Sequence, residues 1–348
     1  MNADRIIPPT KRSRRLWLWI PLCFLFILLI VLLIWWLNYQ GQLSPLDPNG
    51  KARQVVIAKG SDGARIADRL EEEGIIRSAD GFNWYLRLNG KSGKLKAGTY
   101  SLSPAQNVAE IVAILIEGKE DMLRLTIPEG LKLEQIAQRI EEAGLGSKSK
   151  FLAACNEGDP KKRLPGEKLE GYLFPDTYTF PHGTSEEQLR DLMLDRFFAF
   201  WTAEREAAAK AGGRTRRQVV ILASIVEREA MVNEERPIIA GIFLNRLRKG
   251  MMLQSCATVE YAIGVHRERL TIQDMKVDSP YNTYKYPGLP PGPICCPGAA
   301  SLKAALEPTK TDYLFFVSRN DGTHQFSKTF GEHEKGRIEY QHDKGKKK

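Results

Sequence analysis

Leu16 to Leu37, 22 consecutive residues without a charge, set the first limit on how this chain can fold. In a helix rising about 1.5 Å per residue they reach about 33 Å, enough to cross a hydrocarbon core of roughly 30 Å. The run exceeds the apolar region of a signal peptide, and no small-residue cleavage site follows it. Trp17, Trp19, Trp35, Trp36 and Tyr39 lie near its ends, where amphipathic rings sit at a membrane interface. Lys11, Arg12, Arg14 and Arg15 precede it. Basic flanks stay in the cytoplasm, so the chain is expected to be single-pass and N-in, with everything after Asn38 outside.

The net charge of +9 is mostly terminal: residues 1–15 carry +4 and residues 343–348 carry +3. The intervening +2 is an ordinary solvated surface, and no nucleic-acid partner is implied. Neither a Cys-x-x-Cys nor a His-x-x-x-His spacing occurs, so neither a metal site nor a cofactor is expected. Four of the five cysteines lie beyond the apolar run, in the compartment where disulfides form.

After a Pro- and Gly-containing linker, 38–53, the chain repeats itself. Val56-Ile57-Ala58-Lys59-Gly60 matches Thr126-Ile127-Pro128-Glu129-Gly130 at an offset of 70, and the helical pattern from Ile66 to Glu72 matches Ile136 to Glu142. Thr99-Tyr100-Ser101-Leu102 then resembles Thr177-Tyr178-Thr179-Phe180 at an offset of 78. Each copy reads strand, turn, helix, second helical stretch, strand, and a last helix near Val108 to Glu117 or Glu186 to Phe198. The first copy, 54–121, resembles a LysM module, the β-α-α-β fold that binds N-acetylglucosamine polymers; a spacer that binds no sugar fits the same pattern.

Val219 to Leu247 follows as two apolar helices, the second starting near Glu234 to Arg236 ahead of Pro237 and stopping at Gly250. Glu227 shares the stripe of Val219, Ala223 and Val226, whereas Glu229 projects roughly 200° away, onto the expected solvated face. A carboxyl held against Ala and Val is expected to be desolvated, with its pKa raised, as a general acid requires.

LEGYLFPDTY (169–178), LASIVERE, LNRLRKGMMLQS, PYNTYKYPGLPPGPI and DYLFFV occur in the order found in endolytic murein transglycosylases (MltG/YceG-like), which the chain resembles from about Val55 to Gln341. The resemblance implies an α+β fold: a transmembrane helix, the LysM-like module, then a transglycosylase domain at 122–342. Within that domain, 122–198 is the second copy and 199–342 the catalytic part, between a cytoplasmic tail at 1–15 and a basic tail at 343–348. It implies a lyase in the bacterial inner membrane that cuts nascent peptidoglycan strands outside the cytoplasm, with peptidoglycan synthases as candidate partners. Glu227 takes the family's catalytic position. It would protonate the oxygen between N-acetylmuramic acid and N-acetylglucosamine, then accept the proton of the muramyl 6-hydroxyl as a 1,6-anhydro ring closes. An inactive glycan-binding scaffold and a hydrolytic muramidase are the alternatives. A hydrolase needs a second carboxylate, for which Glu229, Glu260 and Asp278 are candidates.

Sugar sites use aromatic faces with amide and hydroxyl groups on fixed loops, which nominates Gln254, Thr258, Asn282, Thr283 and Tyr284 as substrate-binding residues. Relatives have Asp-Pro where this chain has Cys256-Ala257. If the Gln254 loop and the Pro-rich loop ending at Cys295 and Cys296 line one cleft, a disulfide from Cys256 to Cys295 or Cys296 would tie them, with Cys155 as a competing partner.

Overall fold

The computed structural model describes residues 13–343 apart from 119, 120, 266, 268 and 269. The basic residues Lys11 and Arg12 and the tail 344–348 lie outside the described residues. The chain divides into two compact units, the second starting at Arg124.

The first unit opens with α1 (Ser13–Leu43), a 31-residue helix containing Pro21. Its segment Pro21–Leu43 is apolar and long enough to cross a membrane. Phe24, Ile27, Ile34 and Leu37 are exposed along it. The helix overruns the start of the expected linker by six residues, because Asn38 to Leu43 continue its turns instead of forming a tether. Tyr39 is buried and stacks on Trp35 at 5.7 Å, and Leu43 packs on the core of the module that follows.

That module is β1 (Arg53–Ile57), α2 (Gly63–Glu72), α3 (Ala79–Leu88), β2 (Gly98–Leu102) and α4 (Val108–Glu117), the order expected from the repeat. β1 and β2 pair antiparallel, with Val55 opposite Tyr100 and Ile57 opposite Gly98. Alternation along β1 turns Val55 and Ile57 inward. There they meet Ile66, Leu70, Phe82 and Ile111 in one closed core. Caps set the helix starts: Asp62 accepts from Arg65 N, and Asn107 with Glu110 forms a capping box before α4.

The other copy, which opens the second unit from the middle of its first strand, is β3 (Met122–Thr126), α5 (Leu133–Glu142), α6 (Lys148–Asn156), β4 (Thr177–Pro181) and α7 (Glu186–Phe200). β3 pairs with β4. Then come α8 (Ala203–Ala211), α9 (Arg216–Glu229), α10 (Arg236–Arg248), α11 (Cys256–Ile263), α12 (Ala299–Leu306), the hairpin of β5 (Phe315–Ser318) and β6 (His324–Ser327), and α13 (Phe330–Asp343). Thr215 and Gln218 box the start of α9, and Pro237 occupies the first turn of α10. Eight successive residues of α9, Val219 to Val226, are buried. A helix apolar on every side belongs inside a domain, and α9 is packed by α8, α10, α11 and α12.

Candidate active site

Glu227 lies in the last turn of α9, where the helix emerges from this core. Its side chain is only 6% exposed, so the expected burial holds. The expected surroundings do not, because the carboxylate is not left against Ala and Val alone. Arg236, carried back to it by the first turn of α10, donates from Nη1 to Glu227 Oε1 at 3.1 Å. The same nitrogen reaches Ser301 Oγ at 2.7 Å, and Arg236 Nε holds Asn233 Oδ1 at 3.0 Å. Gly298, at the N-cap of α12, donates its N–H to Glu227 Oε2 at 2.9 Å. Two helix ends thus hold the carboxylate oxygens in fixed directions. The guanidinium is itself buried, so an unpaired Glu227 would be costly.

A second carboxyl arrives from the turn between β3 and α5. Gly130 N donates to Cys296 O at 2.9 Å and Cys296 N to Leu131 O at 2.8 Å, which stitches the turn to the loop leading into α12. Glu129 thereby lies flat on Gly298: a Cβ there would fall 1.7 Å from Glu129 Oε1. Burial pushes the Glu129 carboxyl up from the ordinary range, the charge of Glu227 adds to this, and Arg236 opposes it.

Glu229 does not face solvent. Wrapped by the loop before α11, its carboxyl accepts from Ser255 Oγ and from Ala257 N–H, and burial pushes its pKa up. The helical-wheel angle was correct; the face it points to is covered by α11. Of the other acids considered, Glu260 lies 3.7 Å from Arg228, whereas Asp278 is exposed and engaged by Lys285 and Tyr286.

Beside Gly130 opens a cleft of about 520 Å³, walled by Lys132, Gln135, Glu170, Arg228, Ala257, Tyr261 and Ile294. A Cβ on Gly130 would sit 3.6 Å from Glu227 Cγ, so the cleft edge rests on the catalytic candidate. Tyr261 offers a ring packed 4.7 Å from that of Tyr281, with Lys132 Nζ 5.1 Å above it. A hollow of about 810 Å³ shares Glu170 and Tyr261 with the cleft. Flat rings beside amide, ammonium and carboxyl groups suit a sugar chain.

The nominated binding residues divide. Thr258, Asn282 and Thr283 are fully buried and spend their polar groups internally. Thr258 Oγ1 meets Thr283 Oγ1 at 2.9 Å, and Asn282 Nδ2 donates to Met275 O and Val277 O. They brace the loop and do not face the cleft. Gln254 is exposed, at φ +52°, with its N–H donated to Thr283 O. Tyr284 is half-buried with its hydroxyl 3.2 Å from Cys256 Sγ. The neighbours Ala257 and Tyr261 wall the cleft instead.

The expected disulfide is absent, since Cys256, Cys295 and Cys296 are all free thiols. Cys256 is turned outward toward Tyr284, while Cys295 lies inside against Ser224 O at 3.4 Å. The sequence reasoning missed Glu129, Arg236, Gly298 and Ser301. The repeat had placed Glu129 on a turn and Pro237 had placed Arg236 at a helix start. Neither signal says what lies opposite.

The YceG-like family model matches residues 55–338. An endolytic murein transglycosylase of Bacillus subtilis is 34% identical over 327 residues, covering 88% of this chain and 90% of the relative. An endolytic murein transglycosylase of Streptococcus pneumoniae is 32% identical, covering 79% of this chain, which spans only 56% of that longer protein. The crystal structure of a yceG-like protein of Listeria monocytogenes is 38% identical with a TM-score of 0.56, covering 82% of this chain and 98% of that one. With its motifs in order and a buried carboxylate at the edge of its cleft, the chain belongs to the YceG-like family.

Proposed function

We propose that this chain is a membrane-anchored endolytic peptidoglycan transglycosylase. It cleaves the bond from N-acetylmuramic acid to N-acetylglucosamine in nascent strands and leaves 1,6-anhydro ends, ending glycan elongation. The observation that carries this reading is the Glu227 carboxyl, buried, held by Arg236 and Gly298 N–H, and set against the edge of a cleft with an aromatic wall. A carboxyl fixed in this way moves a proton without spending conformational entropy. The glycosidic oxygen takes a proton as its bond to C1 breaks, and C1 gains oxocarbenium character. The 6-hydroxyl of the same muramyl ring closes on C1 and returns a proton to the site, so no water is consumed. Arg236 stabilises the carboxylate formed between the two transfers.

The apolar helix α1 anchors the enzyme with its N-terminus in the cytoplasm, as the basic residues before it favour, and everything after it lies outside. The β-α-α-β module is LysM-like, with strand pairing and element order in support of that likeness. A reporter fused after Lys348 should behave as extracytoplasmic; a cytoplasmic signal would reverse the topology.

Mass spectrometry of products from nascent glycan tests the reaction. Anhydro ends are expected; reducing ends would make the enzyme a muramidase, and no cleavage would make it a scaffold. Glu227→Gln keeps the volume but cannot cycle a proton, so turnover should fall by at least ~10²-fold. A smaller loss would remove Glu227 from the reaction.

A further inference from the structure

The site holds two carboxyls and one buried guanidinium. Glu227 meets Arg236 and the N–H of Gly298; Glu129 lies against the same Gly298, where burial and the charge of Glu227 push its carboxyl up and Arg236 opposes them. Among the described residues, the other groups near the pair include Arg228 on α9, which leans toward Glu260, the wholly buried Cys295 thiol and, from α12, the Ser301 hydroxyl on Arg236. The ion pair of Glu227 with Arg236 is charge-matched by itself. Adding Glu129 leaves one negative charge unmatched when both carboxyls ionise, and repulsion between them favours binding one proton.

We propose that Glu129 is a positioning residue for the catalytic proton: lying on Gly298, whose N–H holds Glu227, its negative charge keeps one proton bound to the pair. This rests on the transglycosylase reading and deepens it. The proton passes from the pair to the glycosidic oxygen as the C1–O bond breaks. The muramyl O6–H proton passes to the pair as the O6–C1 bond forms. The pair ends the turnover with the one proton it began with, and no co-reactant is needed. Glu129 is the more exposed of the two carboxyls, which lets bulk water re-equilibrate the pair between turnovers.

The test is kcat against pH for the full-length protein in detergent micelles acting on uncrosslinked glycan strands, with Glu129→Gln and Glu129→Asp. The active form is the one holding the proton. Removing the neighbouring negative charge lets the remaining carboxyl release it at lower pH, so the basic limb of the profile moves toward acid. Glu129→Gln should lower kcat at pH 7 by roughly 10- to 100-fold and shift the basic limb down by roughly 1–2 pH units, with part of the rate returning in acid. Glu129→Asp, which keeps the charge, should hold the limb near its wild-type position. A Gln variant slowed by one factor at every pH, with its limb unmoved, would make Glu129 a structural brace and overturn the proposal; so would wild-type kinetics. Either result leaves the transglycosylase reading intact if Glu227→Gln is inactive. Retained activity in Glu227→Gln, or reducing ends, overturns that reading separately.

Discussion

In the first copy of the repeat the turn from β1 to α2 is Ala58-Lys59-Gly60, and a Cβ at Gly60 would meet nothing within 4 Å. In the second copy the matching turn is Pro128-Glu129-Gly130, and a Cβ at Gly130 would touch Glu227 and Arg228. The backbone is the same, with φ of +82° at Gly60 and +79° at Gly130. What differs is what the turn rests on. The first copy closes on its own core, whereas the second lends its turn to the end of α9, where a lysine has become a glutamate. Connection length differs as well. The first copy passes from α3 to β2 through residues 89–97, while the second passes from α6 to β4 through 157–176, a longer segment that carries Glu170 to the cleft. A repeated module becomes part of a site by changing its turns and connections while keeping its core.

The largest effect expected from breaking this arrangement comes from Arg236→Met, which strands the Glu227 carboxylate in a buried place. Thermal or urea unfolding should show a loss of about 3–5 kcal/mol. The double variant with Glu227→Gln should recover most of it, because no buried unpaired charge then remains. A double variant no more stable than the single one would mean that Arg236 acts through packing.

A smaller effect should appear with pH, and it belongs to the second copy's long connection. Burial pushes Glu170 up to about 7 from an ordinary 4.5, although Leu133 N–H and the charge of Lys132 pull it down. The folded state therefore keeps a proton that the unfolded chain has already released. Stability is full below pH 4.5, declines as pH rises through the window from 4.5 to about 7, and has lost about 3 kcal/mol above it. Glu170→Gln should flatten this decline while its amide oxygen still accepts from Leu133 N–H. If urea midpoints at pH 5 and pH 8 differ as much in the variant as in the wild type, another group is responsible.

The smallest effect sharpens the comparison of turns directly. Gly60→Ala and Gly130→Ala should each cost about 1–2 kcal/mol for a left-handed backbone, equal within about 0.5 kcal/mol. The contact at Gly130 is of ordinary van der Waals length and adds little. A much larger loss at Gly130 would show that the α9 contact is tighter than this geometry.

Much of the fold was legible before the structure. The existence of α1, the two copies of the repeat, the Pro237 start of α10 and the position of Glu227 all follow from periodicity, caps and motif order, whereas α1 runs six residues further than expected. Of the candidate site, the sequence pointed to one residue, Glu227. The Glu229 angle was right and its environment wrong, and the loop threonines and Asn282 have polar chemistry that suits a ligand but serves the loop.

By itself the sequence determined what depends on near neighbours: that α1, the helices of the two copies and the α9–α10 pair are helices, and where several of them begin. Hydrogen bonds between adjacent turns and side-chain spacing along one element carry that information. Only the tertiary structure decided what faces what. Gly298 reaches Glu227 across 71 residues, Ser301 reaches Arg236 across 65, and Ser255 covers Glu229 across 26. These contacts form because α9, α10, α11 and α12 pack around one core, and a carboxyl's surroundings are fixed by all four helices at once.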